Sequence, residues 1–457
     1  MKDSATLVFD IGKTTKKALV FSSDFHVLEE HTATLVETQD DDGFGCEDLD
    51  LLTRWVTEKF RALVQESAHN ITHVNFSGYG ASLVGLDEAD KPVLPFYNYL
   101  KKCPPEIKEK FERDYGPIAR VCSETASPWL GLLNSGLQAY WLKQCKPQHF
   151  KRIKTLLHFP QYFPFLLTGK KLNDLTGLGC HTLLWNFRTN DYHEWAVREG
   201  ISDLFPRVTQ PVTFEFDFGD RKIISGSGVH DSSAALMPYL VSMKEPFLLL
   251  STGTWNICFN PFNADPLTSD ELEKDCLCYL TFEGKPVKAS RIFLGHEHEV
   301  QQRALAKHFN IDENAHKVIA FDESVYNSLI SAGDPRKHFY PMAMEGSGPL
   351  PDKPLQRTDY PAFSNYTEAQ HQLIRDLVSW QRISIDLADP QKKIRNLILV
   401  GGFCKSPLFL EILKRELPER RLYLSEHPRG SALGAAWLAH EKAAYEGAAR
   451  LLGIRAV

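Results

Sequence analysis

Two stretches about half the chain apart carry the same pattern of apolar and polar positions. LVFDIGKTTKKALVF, from Leu7, and FLLLSTGTWNICF, from Phe247, each run a short apolar segment into a small-residue turn containing glycine, then out into a second apolar segment. Strand-length apolar runs on both sides of such a turn predict a β-hairpin. The repetition suggests an internal duplication in which each half opens on one hairpin. From Asp48 onward, Leu49, Leu52, Val56, Phe60 and Leu63 recur at intervals of three and four, the single stripe of an amphipathic helix. HVNFSGYG from His73 and NLILVGG from Asn396 are apolar runs that end abruptly in glycine, as buried strands do where they reach a site. Helix and strand signals interleave, which predicts an α/β architecture. The break between halves is expected between Met243 and Pro246, giving domains of residues 1–243 and 244–457. The Pro-rich and Gly-rich stretch from Phe339 to Phe363 is expected to be a long ordered loop.

Composition narrows the class. A chain of 457 residues exceeds one ordinary core and implies two large domains, or three with an insertion. The hydrophobic share of 43% and charged share of 24% are those of a soluble globular protein. The formal charge is −6 and the basic residues are dispersed, which argues against a nucleic-acid partner. MKDSATLVFDIG has too short an apolar run before its Asp to be a signal peptide or a membrane span, so a cytoplasmic protein with no membrane partner is expected. Nine scattered cysteines, with Cys276 and Cys278 lacking a second pair nearby, point to reduced thiols rather than disulfides or zinc.

The turns carry chemistry. Asp10, Ile11, Gly12, Lys13, Thr14, Thr15, Lys16 and Lys17 place an acid before glycine, hydroxyls and cations. Glycine lets the backbone approach a phosphate chain, N–H groups and hydroxyls donate to it, and an Asp can hold hydrated Mg²⁺. The letters GKT do not make a P-loop, because Leu7 stands where that motif needs its first glycine. An ordinary polar hairpin is the alternative. Ser251, Thr252, Gly253 and Thr254 repeat the recipe without the acid, so two such turns could hold one triphosphate from both domains. A third glycine site follows a strand at Gly401 and Gly402, with Ser406 and Pro407 as the N-cap and first-turn pair of a helix. Bare backbone there could lie against a nucleotide base or ribose; a tight strand-to-helix turn explains it equally well. GSGVHDSSAALMPYL puts His230 and Asp231 at a helix start, where a carboxylate can be held ionised. Asp231 can serve as an N-cap or as a base that takes the proton of a hydroxyl during phosphoryl transfer. His296 and His298, in the Gly295 to Glu299 cluster, point about 200° apart on a helix, so that cluster is taken as a polar helix start.

In this order and spacing the motifs resemble the FGGY family of carbohydrate kinases, within the actin-like and hexokinase-like ATPase superfamily, and the resemblance covers essentially the whole chain. DIGKTTKK resembles the family's first phosphate motif, STGTW its second, and LILVGGFCKSP with GSALGAAW its adenosine region. FPFLLTGKKLNDLTGLGCHTLLWNFRTNDYHEW, from Phe163, resembles the stretch between the sugar-site strands. The resemblance implies two actin-like (ribonuclease H-like) domains with a deep interdomain cleft, the first binding sugar and phosphate and the second ATP. It implies Asp231 as catalytic base and Asp10 as the residue that places Mg²⁺. It implies ATP contacts from Gly12, Lys13, Thr14, Thr15, Gly253, Thr254, Gly401, Gly402 and Ser406. For Lys13, where relatives commonly carry Thr or Ala, contact with phosphate and a solvated position both stay open. The chain departs from many relatives after SGYGASLVGLDEADKPVLP. Where they show a Trp, an Asp and an Arg that bind the sugar, it reads Phe96, Tyr97, Asn98, Tyr99, Leu100 and Lys101. The His230–Asp231 pair and the Gly-Thr-Trp of the second turn are similar to the rhamnulose and related deoxy-ketose kinases. By position, Tyr79, Ser82, Asn98 and His230 are the candidate contacts to a small-molecule sugar, expected to be a ketose of five or six carbons. Family precedent is compatible with a homodimer. An actin-like ATPase serving a protein partner and a sugar-binding regulator are the competing readings.

Overall fold

The first apolar run forms strand β1 (Ser4–Ile11), buried along nearly its whole length. The computed structural model describes residues 4–344, 348–350, 356–427, 429–445 and 448–457. β1 turns back antiparallel into β2 (Lys16–Phe21), which pairs antiparallel with β3 (Val27–Ala33). On its other side β1 pairs in parallel with β4 (Asn70–Gly78), the strand expected around NFSGYG. Three further strands complete this seven-stranded sheet. β5 (Thr213–Phe218) and β6 (Arg221–Gly226) form a hairpin whose second strand pairs in parallel with β4, and β7 (Val229–His230) pairs in parallel with the end of β4.

The helix between β3 and β4, Leu49–Glu66, begins where its sequence says it should. The Asp48 side chain accepts the Leu51 N–H at 2.8 Å as N-cap. Leu49, Leu52, Val56, Phe60 and Leu63 are all buried, and Phe60 packs edge-on against Phe218 at 5.0 Å. Burying five large apolar side chains is worth roughly 1.5–3 kcal/mol each before entropy is counted.

The second sheet repeats the first one's core order. β8 (Phe247–Thr252) turns back antiparallel into β9 (Asn256–Asn260), as predicted. Beyond β9 come β10 (Cys276–Leu280) at the edge and β11 (Pro286–Ile292) next to β9. On its other side β8 pairs in parallel with β12 (Asn396–Gly401), followed by β13 (Arg421–Leu424) and β14 (Arg455–Ala456). Thus β3–β2–β1–β4 and β11–β9–β8–β12 have the same order and the same sense of pairing around their central strands, which supports the internal duplication.

The chain divides into two units. One holds Met1–Met243, Cys278–Pro286 and Arg429–Leu451; the other holds Lys244–Leu277, Val287–Pro428 and Leu452–Val457. The second unit begins at Lys244, at the expected break, while Cys278–Pro286 and Arg429–Leu451 return to pack with the first. Packing explains the larger return. Helix Gly430–Trp437 lies so close to helix Asp231–Ser242 that a Cβ on Gly434 would stand 1.8 Å from the Ala234 carbonyl oxygen. Asn75 on β4 also donates its amide to the Ala435 carbonyl at 2.8 Å.

Of the loop expected from Phe339 to Phe363, residues 345–347 and 351–355 lie outside the described residues. Its first part is tied down by the fully buried Glu297, whose carboxylate accepts the N–H groups of Met342 at 2.9 Å and Ala343 at 2.7 Å. All nine cysteines are free thiols. No helix of the described residues is long and apolar enough to cross a membrane.

Candidate functional site

In the first unit, parallel strand ends bring two acids together. Register sets Asp10 on β1 opposite Ser77 of β4, and His230 on β7 opposite Gly78, so Asp10 and Asp231 leave the sheet on either side of one strand end. The Ser431 hydroxyl is 3.1 Å from each Asp10 oxygen. Asp231 opens helix Asp231–Ser242 and accepts the Ser232 N–H at 2.6 Å. The acidity of both is weakened. Burial, then the charge of Asp231, pushes Asp10 up to about 6, and burial pushes Asp231 up to about 6. Position at a helix start was expected to keep Asp231 ionised; the bonds from Ser232 do pull that way, but desolvation outweighs them and the net shift is upward.

A buried network holds the chain just before Asp231. The His230 N–H donates to Thr176 Oγ1 at 3.0 Å, and that hydroxyl donates in turn to Asp174. Asp174 is fully buried, also accepts from the Thr176 N–H and the Ser227 hydroxyl, both at 2.9 Å, and is pushed up to about 6 by burial. Sequence reading missed Asp174, because nothing in the letters LNDLTG tells a buried support acid from a surface one.

His230 is enclosed. Its Nε2 lies 3.0 Å from Cys180 Sγ and 3.2 Å from Asp231 Oδ1, its ring stacks on Tyr279 at 5.4 Å, and burial holds it down to about 3, hence neutral. The other candidate sugar contacts divide sharply. Tyr79 donates its hydroxyl to Glu47. Asn98 donates to the Gly45 carbonyl at 2.9 Å and accepts from Leu100 N–H at 3.0 Å, so both ends of its amide serve the fold. Ser82 is different: it is buried and its hydroxyl has no hydrogen-bond partner among the described residues.

The first turn is closed by Gly12 N–H to Thr15 O at 3.1 Å, with Thr14 exposed at its tip. Lys16 braces it from beneath. Its buried ammonium donates to the Lys13 carbonyl at 2.8 Å and pairs with Glu47 at 2.9 Å. Lys13 itself, left open between phosphate and solvent, pairs with Glu37 at 2.9 Å and Glu47 at 3.5 Å.

The second unit surrounds its turn with glycine contacts and a cavity. Gly253 N–H donates to the buried Asn256 side chain at 3.1 Å. A Cβ on Gly295 would stand 1.8 Å from the Gly253 carbonyl oxygen, so helix Leu294–Phe309 can start against this turn only with glycine there. Gly401, at φ 98°, would bring a Cβ 1.9 Å from the Thr252 carbonyl oxygen, whereas a Cβ on Gly402 would meet nothing within 4 Å. Ser406 accepts the Phe409 N–H at 3.2 Å as N-cap of helix Pro407–Glu416. Gly253, Thr254, Gly402 and Ser406 all line one cavity of about 520 Å³, within the range of small-ligand sites. Gly401 does not line it; this glycine seats β12 against β8 instead.

Ile374, Phe403 and Leu408 supply apolar wall to that cavity, and His298, Gln302 and Gln370 supply polar wall. The Gly295 to Glu299 cluster is indeed the start of a helix, yet reading it only as polar helix surface missed His298, which burial holds down to about 4. Among the described residues, the one group of three or more carboxylates close together is Asp40, Asp41 and Asp42, and Lys101 and Lys146 already pair with them.

Comparison with known families matches residues 5–210 to the N-terminal domain of the FGGY family of carbohydrate kinases, and residues 244–447 to the carbohydrate kinase FGGY C-terminal domain. Among curated proteins, the chain is 26% identical over 272 residues to a rhamnulokinase of Halalkalibacterium halodurans, a match covering 55% of each protein. It is 23% identical over 231 residues to a rhamnulokinase of Oceanobacillus iheyensis, covering 47% of this chain and 46% of that one. The chain thus spans about half the length of the curated relatives it matches. In fold it is similar to a carbohydrate kinase from Novosphingobium aromaticivorans, with a TM-score of 0.79 at 23% identity over 96% of this chain and 91% of that one. It is likewise similar to a ligand-bound xylulose kinase from Lactobacillus acidophilus, with a TM-score of 0.78 at 16% identity over 99% and 93%.

Proposed function

The chain belongs to the FGGY family of carbohydrate kinases, and from that premise we propose that it transfers the terminal phosphoryl group of ATP to a hydroxyl of a small sugar, a ketose of five or six carbons. The observation that carries the reading is the pair of carboxylates, Asp10 and Asp231, flanking the end of β4 with acidities tuned toward neutral pH. A base titrating near 6 is ionised at pH 7 and still basic enough to take a proton, which suits it to assist a weak nucleophile.

In this mechanism Asp231 accepts the proton of the sugar hydroxyl. The sugar oxygen forms its bond to phosphorus, the bond from phosphorus to the bridging oxygen breaks, and ADP departs. The Asp174–Thr176–His230 network keeps Asp231 aimed, and neutral His230 adds no charge beside it. Ser82, with a hydroxyl to spare, is the favoured sugar contact among the four candidates, while Tyr79, Asn98 and His230 shape the pocket. Asp10 fits the role of cation holder: a hard oxygen donor crowded by a second carboxylate is relieved by a divalent ion. Mg²⁺ held there would spread the negative charge of the phosphates. The turn of Gly12 to Thr15 and the turn of Gly253 and Thr254 offer N–H and hydroxyl donors to those phosphates, and the cavity beside Gly402 takes the nucleoside.

The name of the matched curated relatives, rhamnulokinase, favours a ketose. An ADP-release screen across ketoses, polyols and aldonates tests the reading. Release that depends on one ketose supports it; release that ignores every sugar would assign the chain to another kind of ATPase.

A further inference from the structure

The cavity of the second unit contains a hydrogen-bond pattern around one histidine. Gln302 and Gln370 are buried and form a two-bond amide pair: each side-chain nitrogen donates to the other's oxygen, at 2.9 and 2.5 Å. In that arrangement the Gln302 nitrogen, not its oxygen, lies 3.0 Å from His298 Nε2. An amide nitrogen only donates, so His298 Nε2 accepts and the ring proton sits on Nδ1. Among the described residues nothing accepts from Nδ1; the remaining neighbours of the ring are His316 and Phe403, each edge-on at 5.3 Å. The result is a ring donor in the wall of a cavity that takes apolar wall from Ile374, Phe403 and Leu408 and charged wall from Glu299, Lys317 and Lys405. A flat heterocycle with a ring-nitrogen acceptor fits such a site: apolar walls take its faces and one polar group fixes its rotation.

We propose that His298 reads the nucleobase, donating from Nδ1–H to a ring nitrogen of the purine, and that Gln302 and Gln370 are positioning residues that hold the histidine in its donor tautomer. The inference rests on the nucleotide reading of this cavity. Two comparisons test it on the full chain by titration calorimetry with ADP and its 1-deaza, 3-deaza and 7-deaza analogues, each of which replaces one ring nitrogen by a carbon. One of the three should bind about 3- to 10-fold more weakly than ADP, the worth of one hydrogen bond. In His298→Ala that penalty should vanish, because the variant treats ADP and that analogue alike. Gln302→Leu removes the donor at Nε2 and leaves the tautomer free to change; it should weaken the same discrimination. If ADP binds and all three analogues bind the unaltered chain equally, the nucleotide reading stands and the role of His298 falls. Persistence of the analogue penalty in His298→Ala would also overturn it. If no adenine nucleotide binds, the reading of the cavity is wrong and the assignment falls with it.

Discussion

The two units use one strand order to different ends. In the first, the hairpin turn after β1 is surrounded by charge: Lys16 and Glu47 are buried beneath it, and Asp10 stands at its entrance opposite Asp231 across the end of β4. In the second, the turn after β8 meets close-packed glycine backbone and a cavity with apolar and polar wall; a Cβ on Gly295 or Gly401 would stand within 2 Å of a carbonyl oxygen. Nothing in either hairpin alone dictates this. The difference arises from what the neighbouring parallel strand delivers: β4 ends between two acids, whereas β12 ends in Gly401 and Gly402. Under the proposed function a shared scaffold would separate acid–base chemistry from ligand cradling, so that each could be disturbed without the other.

The sharpest way to break that separation is Asp231→Asn. Under the proposed mechanism it should lower turnover by about a thousandfold, while ADP affinity, measured by calorimetry, stays as it was. A parallel loss of nucleotide affinity would show that the two functions are not divided between the units. On the second side, Gly401→Ala should cost about 2–4 kcal/mol in urea unfolding, from a left-handed φ and a backbone clash together. Gly402→Ala should cost little, since nothing lies within 4 Å of its Cβ. Equal losses at the two positions would undo the assignment of Gly401 to packing and Gly402 to the open wall.

A smaller effect comes from pH. With Asp10 and Asp231 both raised to about 6, kcat/KM should be level near neutral pH and fall as the pair takes up protons below that value. Because the active form is the ionised base, the loss is on the acid side, and an acid limb centred at the ordinary carboxylate range would contradict the upward shifts. Least of all, Lys13→Ala should change stability by under about 1 kcal/mol, as expected for a partly exposed ion pair. Its effect on the KM for ATP decides whether this ammonium ever leaves Glu37 and Glu47 for phosphate.

Local pattern made much of the fold legible. The stripe from Leu49 to Leu63, both hairpins and the strands ending at Gly78 and Gly401 follow from periodicity and turn chemistry within a few residues. The return of Arg429–Leu451 to the first unit was not legible, because it depends on contacts such as Asn75 with Ala435, which leave no mark on local pattern. Site residues divided in the same way. Asp10 and Asp231 stand out by their neighbours in sequence, but whether a polar side chain is free depends on partners brought from afar. Tyr79 and Asn98 give their polar atoms to Glu47, Gly45 and Leu100, leaving Ser82 with the spare hydroxyl. Asp174 and His298 were hidden for the converse reason: burial gave ordinary polar letters unusual surroundings.

The central claim is that the phosphoryl group goes to a sugar hydroxyl activated in the first unit. Its most direct test follows the labelled terminal phosphate of ATP through a reaction with the ketose that gives the fastest ADP release. The account predicts one labelled sugar phosphate for each ADP formed, and about a thousandfold slower formation with Asp231→Asn. Label recovered as inorganic phosphate at a rate independent of the sugar would contradict it.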